Sequence, residues 1–442
     1  MRSPDDVARA LDAACRSDYG RIVSLLTRVL GSLEAAEDVM QGAFATALEQ
    51  WRRRGVPSNP AAWLTTVSRR AAIDVVRRRR AGSRAVTKLA ADAKRSGGGS
   101  KHAANEAVPV GSQDTAYELL ARWPDERLKL IFMCCHPRLP VAARIALTLK
   151  EVCGLPTPSV AATFLVSEQA MAQRLVRAKR SLRQNGAAFE VPEPDEFGER
   201  VEDVLKVVYL LFNHGYLPPE GSEILRSEVC GEAVYLARLV CTLLDQHGEK
   251  RRERAEALGL SSLLTLLHSR RYARVDAEGF PVALEEQDRS LWVDTEVRDG
   301  LSALDRAIAL SRPGPYQIKA AVNALHHTAT DAADTDWSQI HALYTELETY
   351  EPTPIVRLNA TVALGMSAGP SSGLAALEVL GARDGSALFT YPYYHLAWAR
   401  FLEDSGRVEE AESALRKAWN ASRNEGERRF IERRRSQLSK AR

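Results

Sequence analysis

The spacing of its apolar residues constrains this chain most. In most windows they recur at i, i+3, i+4 and i+7, and β-branched runs with strict alternation are scarce. That period lines apolar side chains along one stripe of an α-helix, so the spacing predicts an all-α fold. At 442 residues the chain has room for about three domains of roughly 150 residues. Two interruptions divide it. Residues 81–113 are polar and Ala-rich around Ser96-Gly97-Gly98-Gly99-Ser100, which reads as a flexible linker, and Val191-Pro192-Glu193-Pro194-Asp195-Glu196 reads as an acidic hinge. A coil of that linker's length spans about 30 Å end to end. The expected layout is a small helical domain at 1–80, the linker at 81–113, a second small helical domain at 114–186, and a large helical extension at 197–442.

Charge separates these parts. Residues 1–186 carry 30 Lys/Arg against 17 Asp/Glu, and residues 187–442 carry 30 against 40. A basic front and an acidic back predict a polyanion-binding half joined to a half that does not touch the polyanion. No apolar run is long enough to span a bilayer and none follows the N-terminus, so a cytoplasmic location with no membrane contact is expected. Six cysteines, two of them adjacent (Cys134, Cys135), fit a reduced interior. Cys134-Cys135-His136 lacks zinc spacing, and His326-His327 at adjacent helix positions face apart, so no metal, cofactor or catalytic residue is expected.

Three constellations carry function. Thr157-Pro158 opens a short helix, Leu165-Val166 makes an apolar turn, and Ser167 caps a second helix. On that helix Met171, Leu175, Ala178 and Leu182 form a core stripe, with Val166 and Met171 placed as a hydrophobic staple. The arithmetic is that of a helix-turn-helix, whose second helix enters a major groove. Ser167, Gln169, Gln173 and Arg174 are its candidate base-proximal residues, and Arg177, Lys179 and Arg180 the candidate phosphate contacts. The second constellation is the block 51–80, with nine arginines, one acid (Asp74) and two tryptophans, Trp51 and Trp63. Arg52, Arg53 and Arg54 are expected in a loop before Asn59-Pro60, where Asn caps a helix carrying Arg69, Arg70 and Arg77 to Arg80. Cations with π-faces suit an opened strand, although a solvated basic face with core tryptophans is the alternative. The third is Asp38, Gln41 and Phe44, which share one broad helix face that a partner helix can read.

These blocks resemble a known family. Asp38-x-x-Gln41-x-x-Phe44, Asn59-Pro60-Ala61-Ala62-Trp63-Leu64 and Ala71-x-Ile73-Asp74 with Arg77–Arg80 look like region 2 of extracytoplasmic-function sigma factors, and Ser167 to Lys179 looks like the recognition helix of region 4. Leu210 to Tyr216, Glu286 to Trp292 and Gly314 to Ala321 are similar to the extension of group 42, which is helical and tetratricopeptide-like, here from about 297. The resemblance implies an RNA polymerase sigma factor that directs core polymerase to promoters and aids initiation. It implies that Asp38, Gln41 and Phe44 meet the clamp helices of the largest subunit, and that region 4 meets the flap of the second largest. Arg52, Arg53, Arg54, Asn59, Trp63, Arg69, Arg70 and Arg77 would engage the −10 element as duplex and opened strand, and the helix-turn-helix the −35 element. The two modules would grip these separately.

The extension shows a weak internal repeat at a spacing of 37 (Ala360/Ala397, Leu364/Phe401, Gly369/Gly406, Leu374/Ala411), which suggests stacked helical hairpins. Asn213, His214 and Tyr216 form either a polar core cluster or a ligand pocket, and Tyr316 and Gln317 follow a rigid Pro313-Gly314-Pro315 turn. These five are the regulatory candidates, with the acidic extension expected to tune the basic half in place of a dedicated anti-sigma factor. The competing reading is a helix-turn-helix regulator with a helical effector domain that acts without polymerase. A third, an enzyme with its site at His214 and Tyr216, has no supporting pattern.

Overall fold

A computed structural model describes residues 4–96, 126–136, 138–152, 154–164, 166–184, 197–218, 224–246 and 251–440. The helices are α1 (Pro4–Leu30), α2 (Leu33–Arg54), α3 (Pro60–Ser96), α4 (Glu126–Cys134), α5 (Val141–Glu151), α6 (Thr157–Thr163), α7 (Glu168–Gln184) and α8 (Phe197–Tyr216). They continue as α9 (Ser227–Gln246), α10 (Arg251–Ser269), α11 (Asp294–Ala309), α12 (Pro315–Thr328), α13 (Trp337–Tyr350) and α14 (Pro354–Ala368). The last four are α15 (Pro370–Leu388), α16 (Pro392–Asp404), α17 (Val408–Ala421) and α18 (Glu425–Lys440). Among the described residues there is no β-strand, only a bridge between Val275 and Pro281, so the all-α expectation holds. The chain forms two compact units that divide between Val207 and Val208.

In the first unit α1, α2 and α3 pack together. Ile22, Val23 and Leu26 of α1 are buried, as are Met40, Ala43 and Trp51 of α2 and Leu64 and Ala72 of α3. Each large apolar side chain so buried contributes roughly 1.5–3 kcal/mol. Ser32 and Asn59 cap α2 and α3, their side-chain oxygens accepting from Ala35 N at 3.3 Å and Ala62 N at 2.9 Å. Two expectations change. Arg52, Arg53 and Arg54 lie in the last turn of α2, where arginine has high helix propensity and its charge suits the C-terminal dipole. Residues 81–96, expected as linker, continue α3, because their Ala, Lys, Arg and Leu are good helix formers; residues 97–113 lie outside the described residues.

The second half of this unit is built from α4 to α7 and the start of α8. Phe132, Leu147, Val160, Met171, Leu175, Leu182 and Val204 are buried in it. Arg144 pairs with Asp203 at 2.6 Å, and Arg200 donates to the Phe132 carbonyl at 3.3 Å, so this half extends past residue 186 into α8. Contrary to the picture of two modules gripping apart, both halves belong to one compact unit, with α1 against α4. The approach is close: a β-carbon on Gly20 would collide with the Val152 carbonyl, and one on Gly154 would lie 3.2 Å from the Tyr19 ring.

In the second unit α10 is central and packs on α9, α11 and α12. It is buried nearly all round, from Ala255 through Leu266, so it reads as apolar and small on every face. Gly300 presses on Leu266, and Gly259 takes Gln317 where a β-carbon would not fit. Two helical hairpins follow, α14–α15 and α16–α17, whose turns hold Gly369 and Gly406 at positive φ (95° and 71°). That pair, 37 residues apart, is the repeat read from sequence. Gly365 and Gly373 both lie against Phe401, joining one hairpin to the next.

Candidate nucleic-acid and polymerase interface

The helix-turn-helix is formed by α6 and α7. The Pro156 carbonyl accepts from Val160 N at 3.1 Å, so Pro156 is the cap residue and Thr157, expected as the cap, is the first residue of α6. The turn closes through Val166 N to the Ala161 carbonyl at 3.1 Å, and Ser167 Oγ accepts from Ala170 N at 3.3 Å. Met171, Leu175, Ala178 and Leu182 are all buried as expected. Gln169, Gln173, Arg177 and Arg180, spaced 4, 4 and 3 apart, form an exposed face opposite that stripe. Arg174 is half-buried, its guanidinium carbon 5.5 Å from the centre of the Phe164 ring.

Lys179 departs from its expected role as a phosphate contact. It sits four residues after Leu175 and three before Leu182, on the edge of the core stripe, and its ammonium is committed within the protein. It pairs with Glu151 at 2.7 Å and with Glu37 of α2 at 3.0 Å, which ties the two halves of the first unit together. Burial, with Glu151 beside it, raises the Glu37 carboxyl to about 7. For Lys179 burial opposes the charge, but the two carboxylates outweigh it and hold the ammonium above its ordinary value. This triad was not legible in the sequence, because Glu37 and Lys179 are 142 positions apart.

On the other half, Asp38 and Gln41 are exposed on α2. Phe44 is half-buried, stacked on Tyr19 at 6.4 Å between centroids. Trp51 is buried, and half-buried Trp63 meets it edge-on at 5.4 Å. Trp51 is therefore core, which leaves Trp63 as the aromatic face of the block. Asn59 is exposed and spends its side-chain oxygen on the α3 cap. Arg52, Arg53, Arg54, Arg69, Arg70, Arg77 and Arg78 are all exposed. Arg53 has Glu49 at 3.2 Å and Arg77 has Asp74 at 3.9 Å, both loose surface pairs.

The sequence comparisons fit this geometry. Residues 15–82 match the model for Sigma-70 region 2, and residues 129–182 match Sigma-70, region 4. The chain belongs to the sigma-70 family. As such a sigma factor it is a transcription initiation protein that binds core RNA polymerase and promoter DNA. The two matches fall on the two basic halves of its first unit, and the second covers α6 and all but the last two residues of α7. Residues 200–308 match a family of unknown function, DUF6596. An uncharacterized protein of Rhizobium meliloti (strain 1021) is 38% identical over 428 residues, covering 95% of this chain and 94% of the relative. No solved structure matches.

The regulatory candidates lie in and around the second unit's core. His214 is buried with Nε2 3.1 Å from an Arg226 nitrogen, and burial, then the Arg226 charge, lowers it to about 4. The Asn213 carbonyl accepts from Leu217 N at 2.9 Å. Tyr216 stacks on Phe212 and accepts from Arg270 at 3.1 Å. The buried Glu256 carboxylate holds the start of α12, accepting from Tyr316 N at 3.0 Å and from Gln317 N and Nε2 at 3.3 and 3.1 Å. Tyr316 and Gln317 thus anchor the helical array to α10. His327 bonds Ser269 and the Asn323 carbonyl, and His326 lies edge-on to Trp337. Among the described residues no group of three or more His, Cys, Asp and Glu is placed to hold a metal ion, and no helix is long and apolar enough to cross a membrane.

Proposed function

We propose that the chain is an extracytoplasmic-function sigma factor of the group 42 kind, whose region 2 binds the clamp helices and −10 element and whose region 4 binds the flap and −35 element. The observation that carries this reading is the pairing of two region matches, in order, with an exposed basic surface on each. Asp38, Gln41 and Phe44 are the proposed polymerase contacts. Arg52, Arg53, Arg54, Asn59, Trp63, Arg69, Arg70 and Arg77 are the proposed −10 contacts. Ser167, Gln169, Gln173, Arg174, Arg177 and Arg180 are the proposed −35 contacts, with Lys179 reassigned to the ion-pair triad. Trp63 offers a π-face to an unstacked base, whose flipping costs a few kcal/mol, offset by stacking and phosphate contacts.

Gripping two separated promoter elements needs the two halves of the first unit to part. We infer that the packed arrangement is the resting form and that promoter engagement breaks the Glu37–Lys179–Glu151 triad. Asp38 and Gln41 are exposed beside it, so region 2 can meet polymerase first. The acidic, tetratricopeptide-like extension takes the regulatory part that a separate anti-sigma factor would otherwise play.

Pull-down with core polymerase tests the reading. Wild-type chain is expected to be retained, and Asp38→Ala with Gln41→Ala to lose at least tenfold in affinity while keeping its helical circular dichroism. Equal retention of both, or of neither, would favour a regulator that acts on duplex DNA alone.

A further inference from the structure

The second unit holds a partly open cavity of about 260 Å³ that has no part in either basic surface. Its wall is mostly apolar, formed by Leu217, Ile224, Pro281, Leu396, Phe430 and Ile431, with Arg274, Tyr393, Asn424 and Glu427 as its polar members. Those polar groups have an uneven balance. Asn424 donates to the Pro218 carbonyl at 2.9 Å, and its oxygen accepts from Gly426 N and Glu427 N at the start of α18. The Glu427 oxygens accept from the Tyr393 and Ser422 hydroxyls, each at 2.8 Å. Arg274 lies over the Tyr216 ring at 3.5 Å, and its Nη1 is out of solvent with no hydrogen-bond partner. Among the described residues, none of these acceptors meets Arg274 Nη1.

The charge balance leans the same way. Beside Arg274 is Arg270, 5% exposed, whose bonds go to the Tyr216 Oη at 3.1 Å and Asn323 Oδ1 at 3.5 Å, and whose Nε has no partner. Burial, with the Arg274 charge adding to it against the help of Tyr216, depresses the basicity of Arg270. Two guanidinium groups feel each other here, while Glu427, the one acid of the lining among the described residues, is already bonded to two hydroxyls. Buried charge without a counter-charge is costly, and an anion of the right shape repays it.

We propose that this cavity binds a small apolar monocarboxylate, its hydrocarbon part against Leu396, Phe430 and Ile431 and its carboxylate on Arg274 Nη1. A dry cavity of about 150 Å³ accepts benzene, so this one suits a phenyl ring or short alkyl chain with a two- or three-carbon acid. The apolar wall and Glu427 both oppose a phosphate dianion. The site draws its lining from four places: Leu217, Pro218 and Ile224 after α8, the turn around Pro281, α16, and α18 with Asn424 before it. A ligand that joins them stabilises the second unit.

Isothermal titration of the full chain with 3-phenylpropanoate and hexanoate, each beside its carboxamide, tests the proposal. One saturable site per chain is expected for at least one carboxylate, with the matched amide at least tenfold weaker. Arg274→Gln should weaken the carboxylate at least tenfold, and Leu396→Trp, which fills the cavity, should abolish binding. Equal affinity for acid and amide in the wild-type chain, or no saturable binding of either acid, overturns the proposal whether or not the variants fold. Binding unchanged in both folded variants overturns it too.

Discussion

The two units use charge in opposite ways. In the first, Arg52, Arg54, Arg69, Arg70 and Arg180 are exposed with no acidic partner among the described residues. In the second, Arg270 and Arg274 apart, several cations are tied to acids of the same unit. Arg357 grips Asp384 through two bonds of 2.6 and 2.9 Å, Arg434 pairs with Glu403 at 2.7 Å, and Arg400 with Glu285 at 2.8 Å. Charge left unpaired on a surface is available to a polyanion, whereas charge paired internally fixes helix to helix. A count of cations alone conceals this, since residues 187–442 carry as many Lys/Arg as residues 1–186.

The sharpest way to break the contrast is to remove matter from each side. Phe401→Ala empties the space against Gly365 and Gly373 and should cost the second unit about 3–5 kcal/mol in denaturant unfolding. Arg69→Ala with Arg70→Ala should change stability by about 0.5 kcal/mol or less and instead weaken promoter binding. Next in size is Lys179→Met, which strands two carboxylates. Because Lys179 keeps 24% exposure, the loss should fall below the 3–5 kcal/mol of a fully buried pair, at about 1–3 kcal/mol. It should appear as a longer distance between spin labels at Gln50 and Gln184. Smaller again is Arg180→Ala, expected to lower the slope of log affinity against log salt by about 0.9. Gln173→Ala should instead relax sequence preference by about 1–3 kcal/mol at one base pair.

The gentlest probe is pH, and the two units should answer with opposite signs. Glu37 is raised from 4.5 to about 7, so the packed first unit binds the extra proton and loses stability as pH rises across that window. In the second unit burial lowers His214, His326 and His327 from 6.5 to about 4, so its stability is full above 6.5 and falls as pH drops toward 4. Burial lowers His395 as well, so Glu256, raised by burial, works against that trend as one group against four. Hydrogen exchange at pH 5.5 and 7.5 would read both. Protection that changed in the same direction in both units would contradict this account.

What the sequence made legible follows from what is local. Apolar period gave the helices, Asn59 and Ser167 gave the starts of two of them, and the stripe Met171 to Leu182 gave the buried face of the helix-turn-helix. The 37-residue repeat emerged because Gly369 and Gly406 mark the same turn in two hairpins. Long-range partnerships stayed hidden. Nothing near Lys179 announces Glu37, and the side chains around the cavity come from segments spread between residues 217 and 431. The Ala- and Lys-rich residues 81–96, read as linker, belong to α3, since local propensity outweighs a polar composition.

The central claim is best tested by selecting DNA from a random pool with the purified chain, with and without core RNA polymerase. The account predicts that polymerase is required and that the recovered DNA carries two short elements at a fixed separation. Recovery of one element at the same strength by the chain alone, with no gain from polymerase, would contradict it.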